Sequence, residues 1–585
     1  MDAEKRTILA LGLIAVILFG YSIYIRSRAG RGVDELAREP SRRAVEAVEE
    51  TDVDRDTAMP EPRWDGLTPL DSLFGAAAVD SVEREVVVET DLYWARLSTR
   101  GATLTSVRLK DYDAQNGQMV ELIPEDAHAI LGLWIGAGEE GIDLTLAPFT
   151  TDVSEVTLSA EHPEGEVAFA LTLPQGGEVV RRYRFFRNRY DIALEIAVSE
   201  EIGARDYWLH WQPGLSATER NRTEDLSHFA GLALMGDVLV RKNRRDLVKI
   251  GRRSEAEDSE LASYVEEIGD VRWAGVRTKY FVATLVPESS GQHRVRLMAS
   301  GPEHVGFDLG GRYGESGLLT HRVYIGPIDY EILRSYGLGM ERVVDLGRGP
   351  IAPISKFVLT LLTWTHQYVS NYGVVIILFS CIMKAIYFPL THRGMRQMKE
   401  MQEKQALLQP KLNELKQRYK NNPQKLNQET MRIYREHGVS PVGSLKGCLP
   451  MLLQLPIFWA LFTVLRNTIE LRRAPFILWI RDLSEPDRLH LPFLSDFPFL
   501  PDGAIPVLPL IMGAVMLLQQ RFTAKGGDPR TKMMGYMMPI IFTFLFIRFP
   551  AGLVLYWLVN SVLSLGEQYL MHVQSEGAGR QTDRP

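Results

Sequence analysis

The sequence predicts a membrane protein in two parts: an α-helical core of five spans led by one N-terminal anchor, and a large all-β extramembrane domain. Three observations predict it. From Phe357 onward apolar runs dominate, namely Gly373 to Leu390, Leu449 to Arg466, Ile505 to Gln520, Met533 to Ile547 and Leu553 to Gly566. Between Ser81 and Asp345 the pattern is instead short β-branched and aromatic runs broken by turn signals. Near the N-terminus, Thr7 to Ile25 approaches the roughly 20 apolar residues a bilayer requires.

Taken in order, residues 1–25 are expected to form an uncleaved anchor. A cleaved signal peptide has a shorter apolar core, about 7–15 residues, ending at a small-residue site. Here the run ends in Tyr21-Ser22-Ile23-Tyr24-Ile25. Residues 26–80 are rich in charge, Pro and Ala without apolar periodicity, which predicts a disordered tether, acidic from Asp34 to Glu61. Residues 81–345 predict a β sandwich, on runs such as Glu85 to Arg100, Val179 to Ser199 and Val271 to Pro287.

In residues 350–368, Ile354, Phe357, Val358, Leu361 and Leu362 follow helical spacing opposite Lys356, Thr360, Thr363 and Gln367. The segment is too short and polar to span, so an interfacial amphipathic helix is expected, with packing against the β domain as the alternative. Residues 369–573 hold the five spans. Within them, residues 392–448 predict a helical hairpin. Its first helix opens at Pro410 and carries Leu412, Leu415 and Tyr419. After a turn at Asn421-Asn422-Pro423, the second carries Leu426, Thr430, Ile433 and Tyr434 and ends at His437-Gly438. Residues 574–585 form a short tail.

Charge sets the orientation. The chain has a net charge of −7, unevenly spread: His392 to Cys448 carries twelve Lys/Arg against five Glu. The positive-inside rule makes that hairpin cytoplasmic, with Lys411, Lys416, Arg418, Lys420 and Lys425 as its exposed basic residues. The β domain and the loop from Glu470 to Asp502 then lie outside. The basic loop Thr523 to Lys532 lies inside, and six spans put both termini in the cytoplasm. Arg26, Arg28 and Arg31 after the first span oppose this orientation against Lys5 and Arg6 before it; the two basic loops and the span count outweigh them. No single-sign field covers the chain, so DNA is not an expected partner.

Enzyme chemistry is not expected. H-E-x-x-H, G-x-x-x-x-G-K-[ST], G-x-S-x-G and paired cysteines are absent from the sequence. Cys381 and Cys448, in or beside membrane segments, suggest packing residues, and neither metal nor cofactor is expected. Ser380 and Lys384 at i, i+4 would suit a serine–lysine pair, but no third group orients them.

The most informative residue is Lys384, a cation inside an apolar run. Such a charge costs about 2.5–3.5 kcal/mol at the centre of a membrane helix on insertion scales. The other runs contain no Asp or Glu, and Glu567 follows the last of them, so no counter-ion within the bundle is expected. One reading has Lys384 snorkel toward Pro389 to His392, roughly 10 Å away. The other is a water-filled groove open to the cytoplasm, with Ser380, Gln454, Gln519, Gln520, Asn560 and Ser561 as further polar groups; such groups also bridge helices structurally.

At these residues the chain resembles the YidC/Oxa/Alb family of membrane protein insertases, in its long diderm form. The resemblance rests on Asn371-Tyr372-Gly373, Tyr387 to Thr391, Leu408 to Lys411, Gly447 to Trp459, Ala474 to Ser484 and Phe549 to Leu558. The β domain adds Trp211 to Leu215, Lys279 to Phe281 and Tyr324 to Pro327. It implies a β-supersandwich and a five-helix core whose hydrophilic groove opens to cytoplasm and lipid and is closed outside.

The implied function is insertion and folding of nascent inner-membrane proteins, alone or with the Sec translocon, with ribosome and membrane lipids as further partners. Lys384 would draw in a polar, often acidic, flank. The apolar segment would slide along Pro456, Phe458, Met533, Met538, Tyr556 and Trp557, for each of which ordinary helix packing is the competing reading. The sequence departs from the family at Lys384, usually Arg, which keeps the charge but not a bidentate fork. Trp557 often is Tyr in relatives, and the tail after Met571 is short. Two other classes stay open: a solute or ion transporter using the midplane cation, though no internal repeat is visible, and an envelope protein whose active part is the β domain.

Overall fold

A computed structural model of the chain describes residues 74, 83–127, 129–138, 140–257, 263–289, 291–314, 317–437, 449–491, 504–523 and 529–582. The expected anchor, and the tether apart from Phe74, lie outside them.

The all-β domain is built from three sheets. One runs Met119–Glu121, Leu104–Asp113, Tyr93–Ser98, Glu85–Glu89 and Glu155–Thr157, the last pair parallel. The largest runs Val238–Asn243, Ala230–Met235, Val271–Arg277, Phe281–Pro287, Leu318–Pro327, Asp191–Val198, Glu178–Phe186 and Glu164–Thr172. The third runs Tyr264–Gly269, His293–Ser300, His304–Arg312, Asp206–Gln212, Ala129–Ala137 and Glu140–Asp143. Alternation drives them: in Glu178–Phe186, Val179, Arg181, Tyr183 and Phe185 point inward while Arg182 and Arg184 face out.

Polar side chains stitch the layers where a buried backbone group would otherwise lack a partner. Arg181 donates to the carbonyls of Gly101 and Leu131, both at 2.6 Å. Tyr207 Oη lies 3.0 Å from His321 Nε2 between the second and third sheets.

The helical part comprises α1 (Ile351–His366), α2 (Tyr372–Arg418), α3 (Pro423–Glu436), α4 (Leu449–Asn467), α5 (Val507–Thr523), α6 (Pro529–Phe546) and α7 (Ala551–Thr582). Among the described residues, Tyr372–Pro389 is the one stretch long and apolar enough to cross a membrane, with shorter apolar helices at Val507–Arg521 and Gly535–Phe546. Helix α7 is central and packs on α2, α4 and α5. Small residues let α6 approach α5: a side chain at Gly535 would strike Gln520, and one at Gly513 would strike Thr543.

One expectation needs correction. The first hairpin helix does not open at Pro410. Helix α2 runs unbroken through Pro389 and Pro410 to Arg418, and the turn after it is capped by Asn422, which accepts from the Lys425 amide at 3.1 Å. The reason is burial: Leu408, on the N-terminal side of Pro410, packs with Leu412 against Ile433 and Tyr434, so the helix must continue through the proline. Helix α1 buries Ser355, Val358, Leu359 and Leu362 and packs on α4, leaving Phe357 and Trp364 exposed. Its Lys356 lies over the Tyr330 ring of the β domain.

The family-like motifs build the end of the core that lies beside the β domain. Asn371 caps α2, accepting from the amides of Gly373 and Val374, and donates to the Phe476 carbonyl at 2.9 Å. Gly373 leaves room for Phe476, since a Cβ there would sit 1.9 Å from the ring. Asp487 accepts from the Leu508 amide at the start of α5 and from Trp479. The amides of Ala551 and Gly552, unpaired within α7, donate to the carbonyls of Glu485 and Leu483. One loop, residues 471–490, thus ties together the starts of α2, α5 and α7.

The β domain is clamped onto that same end. Arg472 reaches Glu219 at 2.8 Å and the Asp113 carbonyl at 3.2 Å. Arg473 donates to the Ala114 carbonyl, and Arg466 and Lys279 both meet Glu224 at 3.0 Å. Burial raises the Glu224 carboxyl, but the two cations outweigh it and hold the group below its usual range.

Candidate functional site

Lys384 lies twelve residues into α2, about 18 Å along its axis at 1.5 Å per residue. Its ammonium is not alone. Nζ lies 3.0 Å from Glu567 Oε2 and donates to Ser564 Oγ at 2.9 Å. The Lys384 and Glu567 side chains are only 16% and 6% exposed. His392, two turns further along α2, places Nδ1 3.5 Å from the other Glu567 oxygen.

The expectation of no counter-ion within the bundle is therefore wrong. Glu567 stands sixteen residues into α7, about 24 Å from its start, on the face turned to α2. The carboxylate contact is electrostatic rather than an aligned hydrogen bond, since neither Glu567 oxygen has a well-oriented donor.

The other polar residues divide. Ser380 is buried and returns its hydroxyl to the Ile376 carbonyl at 2.7 Å, so it is spent within its own helix. Gln454, half-buried, donates to the Tyr556 hydroxyl at 3.2 Å, bridging α4 and α7. Asn560 donates to the Tyr556 carbonyl at 2.9 Å. Gln519 and Gln520 are half-buried on α5, and Ser561 is buried.

The apolar candidates divide as well. Tyr556 is buried, with its ring 6.0 Å from Phe379. Phe458 is buried in an aromatic cluster whose centroids lie 5.5 Å from Trp557, 6.0 Å from Phe546 and 6.1 Å from Phe549. Trp557 is half-buried in the same cluster. Pro456, Met533 and Met538 are exposed, Met533 and Met538 beside exposed Tyr536, Met537, Ile541 and Phe544 on α6. The basic residues Lys411, Lys416, Arg418, Lys420 and Lys425 all project outward from the α2–α3 hairpin. Cys381 is exposed and free.

Fold and site together define a helical membrane core with a buried cation–carboxylate pair, capped at one end by a loop and by a docked β domain. The family described as 60Kd inner membrane protein matches residues 364–578, and the YidC periplasmic domain matches residues 85–361. The membrane protein insertase YidC of Syntrophus aciditrophicus is 31% identical over 98% of this chain and all of its own length. That of Pelobacter propionicus is 33% identical over 97% and 98%. A crystal structure of an active YidC insertase with its first transmembrane domain resolved covers 84% of this chain and 95% of its own, at 18% identity and a TM-score of 0.35. The chain belongs to the YidC family of membrane protein insertases.

Proposed function

We propose that this protein inserts nascent membrane proteins into the inner membrane, acting as an insertase and chaperone through a hydrophilic groove at Lys384. The observation that supports it best is a lysine retained inside an apolar span, beside Ser564 and Glu567 and below the end where loop 471–490 ties the helices together. A site closed outside and polar within admits a chain only from the hairpin side.

In this reading a polar, often acidic, flank leaves the cytoplasm and is stabilised by Lys384, which offsets the cost of carrying polar groups through hydrocarbon. The following apolar segment moves along exposed Pro456, Met533 and Met538 and exits into lipid. The basic hairpin faces the cytoplasm, the β domain the periplasm, and both termini the cytoplasm. Ribosomal RNA or anionic headgroups meet the hairpin's lysines and arginines, and the Sec translocon hands over longer substrates.

The test is insertion of a single-span protein with an acidic N-tail into proteoliposomes holding only this protein, scored by protection of the tail from protease. Protection with wild type and Lys384→Arg, and its loss with Lys384→Ala and Lys384→Glu, is the expected result. Insertion unaffected by all three changes would leave the insertase but remove Lys384 from its mechanism.

A further inference from the structure

We propose that Glu567 is a built-in stand-in for the substrate's carboxylate, and that capture of an acidic flank is an exchange of one carboxylate for another on Lys384. This rests on the insertase reading above. The geometry supplies each part. Lys384 Nζ is already held by Glu567 at 3.0 Å and Ser564 at 2.9 Å, so in the resting protein the cation is occupied. The pair is mostly buried, where an ammonium without a partner is costly. Occupation by an internal carboxylate removes that penalty whenever no substrate is present.

The same arrangement provides for release. The free Glu567 oxygen, Oε1, lies 3.5 Å from His392 Nδ1, and that nitrogen has no other hydrogen-bond partner. When a substrate carboxylate takes Lys384, Glu567 keeps its place beside His392, which receives it through an Nδ1–H donor. His392 is itself steadied by stacking on Phe388, with ring centroids 5.3 Å apart. Ser564 can follow Lys384 in either state, because a hydroxyl accepts from the ammonium while donating to whichever carboxylate is near. No net charge enters or leaves the site except that of the substrate.

Exchange predicts selectivity. A neutral flank offers Lys384 nothing better than Glu567 and leaves the pair closed. An acidic flank competes for it on equal chemical terms. Glu567 therefore sets the threshold of acidity at which a flank is captured, acting as a positioning residue through Lys384. Pairing also explains how Lys serves here: one carboxylate at a time needs a point charge, whereas a planar fork would hold an internal carboxylate in two hydrogen bonds and release it less readily.

The experiment uses the full-length protein in proteoliposomes and two single-span substrates that differ only in their N-tails, one with three Asp and one with three Asn. The readout is the ratio of their initial insertion rates. Glu567→Gln is expected to raise the Asp-to-Asn ratio about tenfold, a difference of about 1.4 kcal/mol. In the Lys384→Ala background, where Glu567 is a bare anion that repels the flank, adding Glu567→Gln is expected to recover part of the lost Asp-tail rate.

A carboxylate that merely pins α7 to α2 would lower both rates together on Glu567→Gln and leave the ratio unchanged. That result, with wild type active, overturns the exchange and leaves the insertase reading intact. Should Glu567→Gln fail to fold, Glu567→Asp keeps the charge but withdraws it by one methylene; a ratio that then stays at the wild-type value likewise overturns it. A wild type that inserts neither substrate overturns both readings.

Discussion

Replacing Arg472 by Met should undock the β domain locally without unfolding it. Arg472 is 3% exposed and Glu219 11%, and the two meet at 2.8 Å. The guanidinium also donates to the Asp113 carbonyl at 3.2 Å and lies over the Phe281 and Tyr280 rings at 5.4 and 5.8 Å. Met keeps most of the apolar length but leaves the Glu219 carboxylate buried with only the Thr218 hydroxyl at 2.8 Å. Removing one partner of such a pair costs about 3–5 kcal/mol, most of it the stranded charge.

The remaining clamp contacts, Arg466 to Glu224 and Arg473 to the Ala114 carbonyl, keep the change local. Hydrogen exchange should therefore accelerate at the Ala114 and Ala474 amides by about two to four powers of ten, at about 1.4 kcal/mol per tenfold. Amides in the strand Phe281–Pro287 should not respond. The double variant Glu219→Gln/Arg472→Met strands no charge and should recover most of the loss. Unchanged exchange in Arg472→Met, or a double variant as damaged as the single, would refute the clamp.

Four shorter predictions accompany it. Gly373→Leu should abolish monodisperse protein on size exclusion, because its Cβ would lie 1.9 Å from Phe476; adding Phe476→Ala should restore part of the yield. Burial, followed by the nearby Asp329 carboxylate, pushes Glu470 up to about 7 from 4.5. A carboxyl raised on folding stabilises fully below its unfolded value and loses that contribution as pH rises through the folded one. Thermal stability should accordingly decline between about pH 4.5 and 7 by an increment that Glu470→Gln removes. Changing Lys411, Lys416, Arg418, Lys420 and Lys425 together to Gln should weaken cosedimentation with ribosomes and flatten its dependence on salt. A photoreactive residue at exposed Met538 should form adducts with an inserting chain, while one at buried Tyr556 should react with Phe379 of its own bundle instead.

Much of the architecture was legible because it depends on local pattern. Period-two alternation in Glu178–Phe186 marks a half-buried strand whatever its neighbours, and Asn422-Pro423 is a helix start wherever it occurs. Pro410 misled for the opposite reason. As a local signal it favours the first turn of a helix, yet Leu408 and Leu412 share one buried seam with Ile433 and Tyr434, and that tertiary contact outweighs a single missing amide. Substrate-face candidates suffered from the same limit: Phe458 and Met538 are equally apolar in sequence, and only packing buries the first and exposes the second.

The partner of Lys384 was hidden by a different mistake, which also shows how it could have been found. Judged by sequence, Glu567 lies after the last apolar run and so outside the bundle. Measured from the end beside the β domain, however, α2 and α7 both start at loop 471–490, through Asn371 and through the amides of Ala551 and Gly552. Lys384 is then about 18 Å deep and Glu567 about 24 Å, a difference that a lysine side chain leaning toward the hairpin spans. Ser564 and Glu567 are also one turn apart, so a helix that presents one to Lys384 presents both. Depth counted from a shared anchor, rather than hydropathy, is what pairs charges across helices. The ammonium leans toward the α2–α3 hairpin side, and what it reaches is a carboxylate.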